Sequence, residues 1–243
     1  MEYRFKRTEN YITEMKKTFK IFIVVFLLIV SKNAVHAALP QTISKGPLFN
    51  SDFISPIEPA DSSSSDIESR YKVSLSRLKQ QADALKTFLK ANNYNTEYCF
   101  LVDMSIPSGK NRFFVYNLTT DVIEQSSLVS HGLGSNRRDE NNELQFSNEP
   151  STFKTSLGRY RIGSSYTGKF GLAFKLFGLD KTNDKAYERA IVLHAHHSIP
   201  AMETYPYEIS VSLGCPTVAP SFLGTLNDYI SKSGKPVLMW IYK

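Results

Sequence analysis

The sequence predicts a mainly β domain of sandwich or barrel-like build, preceded by an amphipathic helix and followed by a short C-terminal helix. Three observations carry this. Short apolar runs of strand length recur from Tyr98 to Tyr242, separated by turn-forming Gly, Pro, Asn and Ser. Upstream, Leu75, Leu78, Ala82, Leu85 and Leu89 recur at three or four residues, the period of a helix with one apolar stripe. Near the end, Pro220–Ser231 has proline where a first helical residue sits and Gly234 as a stop. At 243 residues the chain is long enough for one sizeable core plus a leader.

The first element is the leader. Lys16, Lys17 and Lys20 precede the apolar run Ile21–Val30, and Val35-His36-Ala37 offers a small-residue cleavage site. Charged, apolar and small-residue regions in that order describe a secretory signal peptide over residues 1–37. The apolar run is shorter than the ~20 residues a membrane-spanning helix needs. The segment from Met15 onward already has every part of a leader, so the true start is expected at Met15, or else the charged region is unusually long. An uncleaved N-terminal anchor is the competing reading. The expectation is a mature chain with no stable membrane anchor after cleavage, and the lack of a cysteine just after Ala37 argues against a lipid anchor.

Residues 38–72 read as a flexible linker, because Pro56, Pro59 and the Ser62-Ser63-Ser64-Ser65 run break any pattern. The folded domain is expected over residues 73–243. Its helix, Ser74–Ala91, places Lys79, Gln80, Lys86 and Lys90 mostly opposite the leucine stripe and stops at Asn92-Asn93. Tyr98–Val102 and Arg112–Leu118 flank Pro107-Ser108-Gly109, which predicts a hairpin. Val122–Val129 follows as a third strand. Gly132–Asn148, rich in Gly, Asn and charge, predicts a loop. Arg159–Ile162, Leu172–Phe177, Ala190–His194 and Val237–Tyr242 supply the remaining strands.

Charge excludes one class of partner. The formal net charge is +6, but Met1–Ala37 holds seven Lys/Arg and three Asp/Glu of the chain's 29 and 23. The remainder carries 22 basic and 20 acidic residues, close to neutral, so there is no electrostatic footprint for nucleic acid. Export implies an oxidising compartment. Cys99 and Cys215 are the only cysteines. Cys99 lies in the apolar run Tyr98–Val102 and reads as a small core residue, with a Cys99–Cys215 bridge as the alternative.

Two stretches carry the candidate chemistry. Ala190–His197 is an apolar strand running into His194, His196 and His197, and Ser212-Leu213-Gly214-Cys215-Pro216 is a small-residue turn presenting a thiol. A thiol is a weak nucleophile until a base takes its proton, and imidazole is a common base. Cys215 beside His194 would form a thiolate–imidazolium pair and lower the thiol pKa. Gly214 permits a sharp turn, which could aim backbone N–H groups at a developing oxyanion. Ser212 either bonds the thiolate or holds the turn. A zinc site built from His194, His196, His197, Cys215 and His131 competes, but no His-Glu-x-x-His spacing or clear carboxylate ligand accompanies it. Spacing alone does not choose among the three histidines.

His194, the Ser212-x-Gly214-Cys215-Pro216 turn, and four upstream runs resemble the murein L,D-transpeptidase catalytic domain family of YkuD type. The upstream runs are Asp103-Met104-Ser105-Ile106-Pro107-Ser108, Ser130-His131-Gly132-Leu133-Gly134-Ser135, Phe146-Ser147-Asn148 and Ser156-Leu157-Gly158-Arg159-Tyr160. The resemblance covers Tyr98–Tyr242. Leu213 and Pro216-Thr217 depart from the wider superfamily, where a polar residue and Arg or Asn usually stand, and fit the murein variant better.

The resemblance implies a mixed β-sandwich with the thiol and imidazole on adjoining elements. It implies Cys215 as nucleophile, His194 as base and then acid, Gly214 as a backbone oxyanion or turn residue, and a backbone carbonyl orienting the imidazole. Asn148, Ser156, Tyr160 and His196 become candidate substrate contacts, and Tyr166 and Tyr205 lie in stretches suited to a lid. The implied reaction is acyl transfer from a peptidoglycan stem tetrapeptide through a Cys acyl-enzyme to form 3→3 cross-links, without a cofactor or metal. L,D-carboxypeptidase activity and a non-catalytic cell-wall-binding role on the same scaffold are the alternatives. Implied partners are peptidoglycan stem peptides and, as covalent inhibitors, penem-class β-lactams. The implied location is the periplasm or extracytoplasmic cell wall.

Overall fold

The computed structural model describes residues 62–243, with side chains from residue 76 onward. The expected leader and most of the expected linker lie outside the described residues. Helix α1 spans Ser62–Ala91, so residues 62–72, read from composition as linker, are helical. Once a packed segment has nucleated a helix, each further residue costs little, and Asp66, Glu68, Arg70 and Lys72 offer no breaker. Among the described residues, no helix is long and apolar enough to cross a membrane.

The stripe that predicts α1 is the face it buries. Leu78, Ala82, Leu85 and Leu89 are at most 1% exposed. They share a core with Cys99, Leu101, Phe114, Tyr116 and Leu238. Burying each leucine stabilises the fold by about 1.5–3 kcal/mol. Asn93 ends the helix in the left-handed region at φ 58°. Both the backbone N–H and the side-chain amide of Asn92 donate back to the Phe88 carbonyl, closing the last turn.

Eight strands follow in one mixed sheet: β1 Tyr98–Asp103, β2 Phe113–Asn117, β3 Val122–Ser127, β4 Gly158–Gly168, β5 Gly171–Gly178, β6 Val192–Ala195, β7 Thr217–Val218 and β8 Leu238–Tyr242. Their order is β3-β2-β1-β8-β4-β5-β6-β7. Neighbours run antiparallel except β1 with β8 and β6 with β7. β1 is buried along its whole length. Its alternate side chains divide between two cores, Cys99 and Leu101 toward α1, and Tyr98, Phe100 and Val102 toward the other face.

The second core explains the sandwich character. It joins Phe113 of β2 to Leu193 of β6 and Val218 of β7, strands from opposite ends of the sheet order. A sheet whose two ends contribute to one core has curled on itself, and its halves face each other. Helix α2, Pro220–Lys232, with Pro220 in its first turn, lays Phe222, Leu223 and Leu226 into this core. Phe222 meets Phe113 edge-on at 5.2 Å.

Three element boundaries differ from expectation. β4 runs past Ile162 to Gly168, with a register shift between Ile162 and Ser165. Gly163-Ser164-Ser165 looks like a terminator in sequence, yet pairing with β5 carries the strand onward into solvent. β6 begins at Val192 rather than Ala190, because Ala190 adopts φ 54° and cannot continue a strand. β7 has only two residues and exists by pairing with His194 and Ala195, which sequence pattern cannot reveal.

Candidate active site

The thiol and the imidazole come together through β6 and β7. His194 pairs with Thr217 across the parallel ladder, and Cys215 lies two residues before Thr217. Both Cys215 and His194 line a cavity of about 580 Å³. The β4–β5 hairpin roofs one side, its two-residue tip Lys169-Phe170 closing between Gly168 and Gly171. Phe170 lies against the His194 ring at 5.5 Å and an interplanar angle of 21°. It meets His196 edge-on at 5.3 Å.

The cysteine turn, residues 212–216, is tied down on every side. Ser212 Oγ donates to the Cys215 carbonyl at 2.6 Å and accepts from Gly214 N–H at 3.1 Å. Ser212 therefore holds the turn rather than the thiol. Gly214 sits at φ 121°, and a Cβ there would lie 3.1 Å from the Lys154 carbonyl. Gly214 N–H is engaged by Ser212, whereas Cys215 N–H has no hydrogen-bond partner among the described residues and is the donor the turn leaves open. The turn is zipped to the stretch after β3: Ser212 N–H donates to the His131 carbonyl, Leu133 N–H to the Ser212 carbonyl, and Ser130 N–H to the Thr217 carbonyl. Gly132 fits only as glycine, since a Cβ there would stand 2.1 Å from the Phe153 carbonyl.

The resting thiol and imidazole each have their own partners. Cys215 Sγ accepts from Val192 N–H at 3.5 Å and points its proton at the Ala190 carbonyl at 3.8 Å. His194 Nδ1 meets the Ala195 carbonyl at 3.1 Å, which fixes the proton on Nδ1. Nε2 then accepts from the Thr217 hydroxyl at 3.0 Å. Burial pushes the Cys215 thiol above its ordinary pKa, although Val192 N–H and the Arg189 charge pull the other way. Burial also lowers the His194 pKa, against the Ala195 carbonyl, and His196 lowers it further. Both shifts favour a resting thiol and neutral imidazole over the thiolate–imidazolium pair expected from proximity.

The other sequence candidates divide. His196 lines the cavity, with Nδ1 on Ser198 Oγ at 2.7 Å. Tyr166 also lines it, whereas Tyr205 is exposed elsewhere. Tyr160 is 0% exposed, and its hydroxyl is held by Ser156. A side chain so buried presents nothing to a ligand. Ser156 is buried too and bonds Tyr160 and Arg189. Asn148 lies outside the cavity lining and ties its loop to the Lys181 carbonyl and Asp184. These three are scaffold rather than substrate contacts. His131 is buried between Arg112, at 2.8 Å on Nδ1, and Asn136, at 2.6 Å on Nε2, which leaves neither nitrogen for a metal. Among the described residues no three His, Cys, Asp or Glu converge on a metal position. Cys99 and Cys215 are both free, and burial pushes the Cys99 thiol up to about 12.

Sequence reasoning missed Arg189, Thr217, Phe170 and the Ala195 carbonyl. Arg189 stands at the cavity wall beside the thiol. It donates to the Ser147 carbonyl, Ser156 Oγ and the Lys154 carbonyl at 3.0, 3.1 and 2.6 Å. Two of the family-like runs thus turn up as the cradle of this arginine. That was the available signal: motif residues too buried to touch ligand must be positioning something else.

The structure is a mainly β domain that brings a thiol and an imidazole onto one cavity. Residues 69–242 match the family model described as the L,D-transpeptidase catalytic domain, and the chain belongs to that family. Similar solved structures include Bd1075 of Bdellovibrio bacteriovorus, 21% identical, covering 60% of this chain and 48% of that one, TM-score 0.37. Another is the L,D-transpeptidase (residues 123–326) of Xylanimonas cellulosilytica, 12% identical, covering 60% of each chain, TM-score 0.35. A third is the LD transpeptidase LdtMt1 in complex with imipenem, 11% identical, covering 60% of this chain and 59% of that one, TM-score 0.36. The matches thus span about half to three-fifths of those chains. No curated protein matches the chain in sequence.

Proposed function

We propose that this protein is an exported cysteine L,D-transpeptidase of the periplasm or cell wall, acting on peptidoglycan stem tetrapeptides. One observation carries the reading: Cys215 and His194 share a cavity, joined by the β6–β7 ladder, in a chain of this family. The neutral resting pair suits substrate-triggered activation, since catalytic hydrogen bonds often tighten only in the substrate complex.

The thiol proton passes to His194 Nε2 as Sγ bonds to the carbonyl carbon between the third residue and the terminal D-alanine. Cys215 N–H stabilises the oxyanion. His194, held by the Ala195 carbonyl through Nδ1, returns the proton to the departing amine. The C–N bond breaks, leaving a thioester and free D-alanine. An amine of a second stem attacks the thioester, gives its proton to His194 and forms a 3→3 cross-link. Water in place of the amine gives the carboxypeptidase outcome.

The test is intact mass after incubation with a penem under reducing conditions. One covalent adduct is expected, absent in Cys215→Ala and slowed about 10²–10⁴-fold in His194→Ala. D-alanine release from a tetrapeptide, with product analysis, then separates cross-linking from hydrolysis. A folded, reduced protein that forms no adduct and releases no D-alanine would sink the reading in favour of a binding protein.

A further inference from the structure

Arg189 is a cation without a carboxylate. Among the described ion pairs it has no partner, and its three hydrogen bonds all go to neutral oxygens of Ser147, Lys154 and Ser156. A guanidinium has five N–H donors. Nε–H and the second hydrogen of one terminal nitrogen stay uncommitted. The same terminal nitrogen lies 3.5 Å from the Cβ position of Gly214, the residue before the nucleophile. Taking a cation half out of water costs free energy unless it is paired, and here the neutral cradle fixes its position without neutralising it.

The rest of the cavity has the same sign. Lys169 joins Arg189 in its lining, and no Asp or Glu does. A pocket rimmed by cations, with an anchored arginine beside the thiol, is built for an anionic ligand, and a planar carboxylate matches the guanidinium fork.

We propose that Arg189 binds the terminal carboxylate of the donor stem peptide, selecting a free C-terminal acid next to the bond that Cys215 attacks. This rests on the acyl-transfer reading above. In such a donor only the amide nitrogen and one Cα separate the scissile carbonyl from that carboxylate. A carboxylate held by Arg189 therefore sits within a residue's length of the thiol. Arg189 thereby acts as a specificity residue: a donor whose last residue is amidated loses the charge-assisted bond and leaves the cation unpaired.

The experiment compares two synthetic tetrapeptides, one ending in D-alanine and one in D-alaninamide, with release of either amine as readout. The wild-type protein is expected to favour the acid about tenfold to a hundredfold in kcat/KM, the worth of a hydrogen bond to a charged group. Arg189→Gln is expected to erase the preference by slowing only the acid, and Arg189→Lys to restore part of it. Equal use of acid and amide by the wild type overturns the proposal without any variant having to fold. So does a preference that survives in Arg189→Gln. If Arg189→Gln slows both substrates equally and shifts the pH profile of thiol alkylation upward, Arg189 serves the thiol alone and the proposal is again overturned. In each of these cases amine release still upholds the acyl-transfer reading. Release from neither peptide, with no penem adduct, removes that reading and this inference together.

Discussion

Two arginines lie near the cysteine turn, and burial gives them opposite fates. Behind the turn, Arg112 is fully enclosed and donates to the Val129 and Ile106 carbonyls and to His131 Nδ1. In front, Arg189 has a similar set of neutral acceptors but faces the cavity. Neither has a carboxylate in hydrogen-bond contact. Enclosure commits four of Arg112's five N–H donors to three acceptors, and burial depresses its pKa to about 9. Exposure on one side leaves Arg189 with donors to offer. Chemically alike groups become structural or ligand-facing according to whether water, and hence a ligand, can reach them.

The comparison breaks first if both arginines matter equally for folding. Arg112→Met leaves two carbonyls and Nδ1 unpartnered, each worth about 1–3 kcal/mol when buried. A loss of about 3 kcal/mol or more is expected in urea unfolding, against about 1 kcal/mol for Arg189→Gln.

A second test uses the proton. Burial and the Arg112 charge hold the His131 pKa down to about 4. Its unfolded value is near 6.5, so the unfolded chain binds more protons between those limits. The stability is therefore present above pH 6.5 and is lost as pH falls through the window toward 4, by about 2–3 kcal/mol. His131→Asn keeps an acceptor for Arg112 but does not titrate, so its unfolding free energy should vary less over that window. His194 is depressed in the same direction and remains in both proteins, so the difference between the two curves isolates His131.

Two smaller effects sharpen the contrast. Ser212→Ala removes the donor to the Cys215 carbonyl and the acceptor for Gly214 N–H, with an expected stability loss of about 1–2 kcal/mol and slower thiol alkylation. Phe170→Ala, at an exposed hairpin tip, should change stability by no more than about 0.5 kcal/mol. Opening the His194 ring to water should nevertheless raise its pKa toward the ordinary value, read by NMR titration.

Much of the fold was legible because its signals are local. The leucine stripe of α1, the turn at Pro107-Ser108-Gly109 and the proline that opens α2 each announce themselves within a few residues. Chemistry and the family-like turn singled out Cys215 and His194, and the fold brings both onto one cavity. What failed to show depends on partners distant in sequence. β7 needs His194 to exist as a strand, Arg189 is defined by a cradle drawn from residues 147–156, and His131 looks like a ligand until Arg112 is found on its ring. Tyr160 and Ser156 misled for the same reason, as motif membership says nothing about which side of a wall a residue occupies.

The parallel pairing of β1 with β8 sets an order of assembly. β1 forms early in the chain and β8 late, yet they lie side by side at the centre of the sheet, with Phe100 opposite Met239 and Asp103 opposite Tyr242. Until β8 has been synthesised, β3-β2-β1 and β4-β5-β6-β7 are two separate ribbons, each with a bare edge of unpaired N–H and C=O groups. Such long-range closure makes for slow folding and a nascent chain exposed to wrong pairings. A single late strand acts as the keystone: it joins the halves, buries both edges at once and lends Met239 and Ile241 to the core against which Cys215 packs.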